Sequence, residues 1–314
     1  MKIAVLEPLG IPYEELKEKV EKAAGPENEV VCYETREEDT QTLIERSQGA
    51  DMVVLSNFKY GRDVMEKCPG LKYICVAFTG YDHVDMDYCR EKGITVSNCA
   101  GYSTVAVADL VFGFVIDLYR NIIRCNEVVR ESGIKAGLIG PELEGKTFGI
   151  IGAGAIGTRV ARIAQAFGCR TLAYSRTKKD IDGLDFVDLN TLMSESDIVS
   201  VHVPQTKETT GLINSDKIAL MKKDAVLINT ARGPIVDSQA LADALNESRI
   251  AGAAVDVFET EPPIDPAHPL LTAKNCIATP HIAFASVQAM YKRADIVCEN
   301  IKAYLAGSPV NLVK

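Results

Sequence analysis

The sequence lacks the features of several large functional classes. It has no basic cluster, and its 314 residues carry a formal net charge of -9. That balance argues against nucleic acid and acidic membrane surfaces as partners. No two cysteines stand as C-x-x-C. The nine cysteines, at 32, 68, 75, 89, 99, 125, 169, 276 and 298, are scattered and odd in number. The pattern argues against a disulfide framework or a cysteine-rich zinc site. It predicts reduced thiols in a cytoplasmic protein, several of them small hydrophobes inside strands. The longest apolar run, Leu110 to Ile116, lies between Asp109 and Asp117, far short of the ~20 residues that span a bilayer. The opening MKIAVLEPLG reads as a strand and a turn, without the apolar core of a signal peptide. Histidine is scarce. Any imidazole acid must be His83, His202, His268 or His281.

What is present is an ordinary globular composition, 47% hydrophobic and 25% charged. The length favours two domains. In the first hundred residues, strands are predicted at 2–6, 29–34, 51–56, 72–78 and 94–98. Helical patterns lie near 13–24, 39–48, 61–67 and 84–92. Near-continuous apolar strands separated by helices indicate a parallel sheet covered on both faces. One long helix is expected over 102–131. A second α/β set follows, with strands at 147–152, 170–175, 186–188, 197–204, 225–230, 252–258 and 276–280. A helix at about 286–306 and an extended tail end the chain. The fold class expected is α/β, with two doubly wound parallel-sheet domains. A Rossmann-type cofactor domain, 100–284, is inserted into a flavodoxin-like substrate domain of 1–99 and 285–314. Hinges are expected near 99–102 and 282–286.

The glycine loop Gly152-Ala153-Gly154-Ala155-Ile156-Gly157 lies between a buried-type strand and an amphipathic helix. Gly152 permits the tight turn, Gly154 lets backbone approach a pyrophosphate, and Gly157 lets helix pack on strand. The helix N-terminus favours the phosphate charge. One absence here is informative. The acid expected about 20 residues on is missing, and Ser175-Arg176-Thr177 stands in its place. An Arg there is suited to pair with a 2′-phosphate, with two hydroxyl donors beside it, so NADP is favoured over NAD.

Three further groups each follow a predicted strand. Arg232 follows LINT, Glu261 follows AAVDVFET, and His281 follows CIATP. Each taken alone reads more readily as a surface charge or a structural residue. Together they would converge on one rim of the sheet, where open α/β sheets gather their chemistry. Arg232 offers a fork that fits a carboxylate. His281 can move a proton, and Glu261 can orient it.

The stretches GKTFGIIGAGAIG, VHVPQTKETTGLIN, LINTARGPIVD, GAAVDVFETEPP and TPHIAFAS resemble the D-2-hydroxyacid dehydrogenases. FTGYDHVD and GYSTVAVADL extend the likeness, which covers most of residues 70–312. It is nearest to the glycerate dehydrogenase/hydroxypyruvate reductase branch. The resemblance implies that Arg232 binds the substrate carboxylate and carbonyl. It makes His281 the acid/base and Glu261 its partner. Asp256 would meet the nicotinamide carboxamide, and Ala155 and Ile156 would lend backbone contacts to the pyrophosphate. Thr104, Pro204 and Thr230 would line the cofactor cleft beside His281. Thr79 and Gly80 would present N–H groups to the substrate carboxylate. A homodimer through the long helix is implied, and formate is disfavoured because formate dehydrogenases carry Gln where Glu261 stands. The activity implied is hydride transfer between NAD(P)H and a small 2-oxo acid. The alternative is a nucleotide-sensing corepressor, a binding protein of the same fold.

Overall fold

The computed structural model describes residues 1–313. Its strands are β1 (Lys2–Val5), β2 (Glu29–Cys32), β3 (Met52–Leu55), β4 (Tyr73–Val76), β5 (Thr95–Asn98), β6 (Thr147–Ile151), β7 (Arg170–Tyr174), β8 (Leu184–Phe186), β9 (Ile198–Val201), β10 (Val226–Asn229), β11 (Gly252–Val255) and β12 (Cys276–Ala278). The chain divides into two compact units. One is Met1–Ser103 with the chain from Ala285 on, and the other is Thr104–Phe284.

The first unit holds a parallel sheet in the order β2-β1-β3-β4-β5, the flavodoxin-like order. Its inner strands MVVL and YICV are buried at every position. The edge strand EVVC is only half-buried. Helices cover both faces, as a parallel sheet requires. The helix Val287–Leu305 packs on Tyr13–Ala24 and on β4. Asn300 fixes it there, donating from Nδ2 to the Asn98 carbonyl at 3.0 Å. The tail then pairs beside β5, with Ser97 bridged antiparallel to Leu312.

The second unit holds a parallel sheet in the order β8-β7-β6-β9-β10-β11-β12, the doubly wound Rossmann order. The topological switch lies between β6 and β9. Successive residues of each inner strand serve opposite cores. Ile151, Val199, Leu227 and Ala253 pack in one cluster, while Ile150, Ile198, Ile228 and Ala254 pack in the other. That is why these strands read as unbroken apolar runs rather than alternating ones. Each fully buried Ile, Leu or Val contributes roughly 1.5–3 kcal/mol.

Two expectations need correction. The single helix over 102–131 is two, Thr104–Arg120 and Ile122–Arg130. Asn121 breaks it at φ 53°, a left-handed conformation that Asn tolerates. The Asp117 carboxylate accepts from Ile123 N at 2.8 Å, and Asn121 Nδ2 donates to the Leu138 carbonyl. The third strand of the set lies at Leu184–Phe186 rather than 186–188. Leu184 pairs with Thr171 and turns inward.

Candidate active site

Register places the site. Asn229, Val255 and Ala278 face one another across β10, β11 and β12. Neighbouring strands are ~4.8 Å apart, so β10 and β12 end roughly 10 Å from each other. Arg232 lies three residues beyond one, and His281 three beyond the other. Side chains of this length span that gap.

The Arg232 turn is held by Asn229, which is buried. Its Nδ2 donates to the Arg232 carbonyl at 3.0 Å, and its Oδ1 accepts from Ala231 N at 3.1 Å. Arg232 Nη1 donates to the Ala231 carbonyl at 2.8 Å.

His281 has φ 57°, the left-handed region, which costs a non-glycine residue about 1–2 kcal/mol. The surroundings enforce it. The His281 N–H donates to the Asp256 carbonyl at 2.8 Å and the Thr279 carbonyl at 3.0 Å. His281 Nδ1 lies 2.9 and 2.8 Å from the two Glu261 oxygens. A carboxylate only accepts, so Nδ1 carries a proton and Nε2 is left to exchange one. The Phe284 ring stands edge-on to the imidazole at 5.3 Å.

Asp256, expected to meet the nicotinamide carboxamide, also serves the backbone around His281. It is fully buried. Its Oδ1 accepts from Thr279 Oγ1 at 2.6 Å and Ile282 N at 2.8 Å. Its Oδ2 accepts from Ala283 N at 2.8 Å. The carboxylate is therefore engaged in holding the chain segment that carries His281. Burial pushes its carboxyl up, against the pull of those donors.

The glycine loop follows β6. Gly152 has φ 105°, and a Cβ there would stand 2.7 Å from the His202 carbonyl. A Cβ on Gly157 would stand 2.0 Å from the Gly152 oxygen, so helix and strand are in direct contact. A Cβ on Gly154 would meet nothing within 4 Å. The loop is open at that point. Gly154 caps the helix Ala155–Ala166, whose first N–H groups, Ala155 and Ile156 among them, have no helical acceptor. Thr104, Ala155, Thr158, Arg159, Arg162 and Lys179 line a groove of about 560 Å³ beside it. Arg159 Nε and Thr230 Oγ1 are buried with no hydrogen-bond partner among the described residues. Pro204 follows β9, its carbonyl accepting from Thr209 Oγ1 at 2.6 Å.

Ser175, Arg176 and Thr177 lie at the carboxyl end of β7, with Arg176 exposed. The positive charge of Arg176 acts on Glu208, whose carboxyl is held low first by a hydrogen bond from Thr206 and further by Arg176. Sequence reasoning missed Asn229, whose one signal is a polar residue ending an apolar strand. His202 follows β9. It bonds Ser200 at 2.8 Å, and burial pushes its imidazole down to about 3.

In the first unit, Thr79 and Gly80 lie past the end of β4. The Thr79 carbonyl accepts from Asn98 Nδ2 at 2.7 Å. No group of three or more His, Cys, Asp or Glu among the described residues is placed to hold a metal ion. Among the same residues no helix is long and apolar enough to cross a membrane.

Comparison with known proteins gives a consistent result. The family model of the D-isomer specific 2-hydroxyacid dehydrogenase NAD-binding domain matches residues 112–283. A hydroxypyruvate reductase of Blautia hydrogenotrophica is 37% identical, over 100% of this chain and 99% of its own. A glyoxylate reductase of Thermofilum pendens is 39% identical, over 89% of this chain and 86% of its own. Among solved structures, an acyclic imino acid reductase in complex with NADPH and D-Arg matches with a TM-score of 0.91. It is 33% identical, and the match covers 100% of both chains.

Proposed function

This chain belongs to the D-isomer specific 2-hydroxyacid dehydrogenase family, and we propose that it reduces glyoxylate to the achiral 2-hydroxy acid, or hydroxypyruvate to the D-2-hydroxy acid. The names of the relatives support that substrate class. The observation that carries the reading is the His281–Glu261 pair, held in left-handed backbone at a strand end in register with Arg232.

The glycine loop fits a nicotinamide dinucleotide. It is open at Gly154 and closed at Gly152 and Gly157, and the Thr230 hydroxyl is an unused buried donor. Gly152, Gly154, Ala155, Ile156 and Gly157 would hold the pyrophosphate, with Thr104, Pro204 and Thr230 beside them. When bound, the nicotinamide supplies the hydride that the keto carbon receives. The chain's own residues do the rest. Arg232 binds the carboxylate and polarises the carbonyl. Thr79 and Gly80 add backbone donors to the carboxylate. His281 gives the proton on Nε2 to the carbonyl oxygen, a transfer worth ~10²–10⁴-fold. Glu261 holds the ring by its Nδ1 edge. Asp256 keeps the His281 segment in place.

Arg176, with Ser175 and Thr177, reads the adenosine 2′ position and favours NADP. A homodimer is supported by the helix Ile122–Arg130, which buries no residue, and by exposed Ile122, Ile123, Val129, Ile134 and Ile139. Light scattering at one subunit mass would refute the dimer. The nine free cysteines favour the reducing cytoplasm. The function is tested by mixing the protein with NADH or NADPH and a panel of 2-oxo acids. Consumption with glyoxylate or hydroxypyruvate is expected. Cofactor binding without turnover on any 2-oxo acid would support the corepressor alternative instead.

A further inference from the structure

The loop after β11 carries two glutamates, and each grips an imidazole. Glu261 holds His281. Glu259 Oε2 lies 2.9 Å from His268 Nε2, and Glu259 Oε1 accepts from Ser238 Oγ at 2.6 Å. His268 Nδ1 accepts from Leu270 N at 3.3 Å, so the ring proton sits on Nε2 and points at Glu259. The ring is only 13% exposed and stands edge-on to buried Phe258 at 5.1 Å. Leu270 is buried as well. Ser238 opens the helix Ser238–Asn246, which follows the Arg232 turn. Gly233, next to Arg232, lies directly on the same loop. A Cβ there would stand 2.0 Å from the Phe258 carbonyl carbon and 2.5 Å from Glu259 N.

Glu259 therefore stands where three segments meet: the Glu261 loop, the Arg232 turn with its helix, and the 3-10 turn Pro269–Leu271. We propose that Glu259, with His268 and Ser238, is a positioning residue that closes the base of the 259–268 loop and sets Glu261 on His281. The inference rests on reading Glu261–His281 as the acid pair. One residue, Thr260, separates the glutamates, and an extended residue spans at most ~3.6 Å. A displaced Glu259 therefore cannot be absorbed before Glu261. Pro262, Pro263 and Pro266 stiffen the rest of the loop. The spacing also explains why this chain places Glu at both 259 and 261. The carboxylates of Glu261 and the buried Asp256 both act on His281, and Arg232 lies across the same rim of the sheet.

The test compares Glu259→Ala, Glu261→Gln and the double variant. The readouts are kcat, KM for glyoxylate, cofactor Kd, and the pH at which reduction fades on the alkaline side. A carboxylate on Nδ1 favours the charged imidazole, so Glu261→Gln should make reduction fade at lower pH. Glu259→Ala should move that limb in the same direction and lower kcat at least tenfold, with cofactor Kd within twofold. The double variant should have the limb of Glu261→Gln alone. If Glu259→Ala does not fold, Glu259→Gln and His268→Gln carry the same test, and each must move the limb downward. An unmoved limb, whether or not kcat falls, overturns the inference, as does a shift that adds to that of Glu261→Gln. If Glu261→Gln itself leaves the limb in place, it is the acid-pair reading that fails.

Discussion

Replacing Asp256 with Asn keeps the shape of the side chain and removes an acceptor. The native carboxylate takes three donors, Thr279 Oγ1, Ile282 N and Ala283 N. An amide has one oxygen. With that oxygen toward Thr279 and Ile282, its NH₂ faces the Ala283 N–H. Flipped, it accepts from Ala283, and the NH₂ faces the Ile282 N–H, although the Thr279 hydroxyl can turn to accept. Either way, one buried backbone donor is left facing another. Such a group costs about 1–3 kcal/mol, and the site is fully buried, so water offers little relief. Urea denaturation should show the midpoint falling at unchanged slope, by that amount of free energy. The chain responds by moving residues 281–283, which carry His281. A displacement of order 1 Å costs ~10²-fold in rate. Glyoxylate-dependent NAD(P)H consumption should fall by about that factor, with cofactor Kd near wild type. Unchanged stability and turnover would refute the argument. Unchanged stability with much weaker cofactor binding would return Asp256 to the nicotinamide.

Two other outcomes follow from the same geometry. Arg176→Ala should weaken NADPH roughly ten- to hundredfold, the loss of a charge-assisted bond to phosphate, and weaken NADH much less; equal losses in the two dissociation constants would withdraw the NADP preference. His202 is driven down to about 3 by burial, whereas the unfolded chain protonates it near 6.5. Below that pH the unfolded state binds the extra proton, so stability falls as pH falls. The loss at pH 5 is at most about 2 kcal/mol. His202→Gln should remove it, and a variant with the wild-type difference in urea midpoint between pH 7 and pH 5 would show the ring is not the cause.

Much of the site was legible because its determinants are local. The three loop glycines sit within six residues, and each has a steric reason that needs only the turn between strand and helix. Arg232, Glu261 and His281 were found as polar residues just past apolar strands, and parallel register gathers such residues without further information. What was not legible depends on partners far along the chain. Asp256 accepts from donors 23 to 27 residues on, a distance at which no spacing rule applies. Asn121 breaks the long helix because residues near 138 pack against it, while the helical periodicity runs through unbroken. His268 gave no sign of a role, since its partner is set by how one loop folds back on itself.

The central claim is that His281 delivers the proton to the carbonyl of a bound 2-oxo acid. It is tested most directly by His281→Ala, with turnover on glyoxylate and cofactor Kd measured on the same preparation. Turnover should fall at least ~10²-fold while the cofactor dissociation constant stays within twofold of wild type. Turnover at the wild-type rate would contradict the claim.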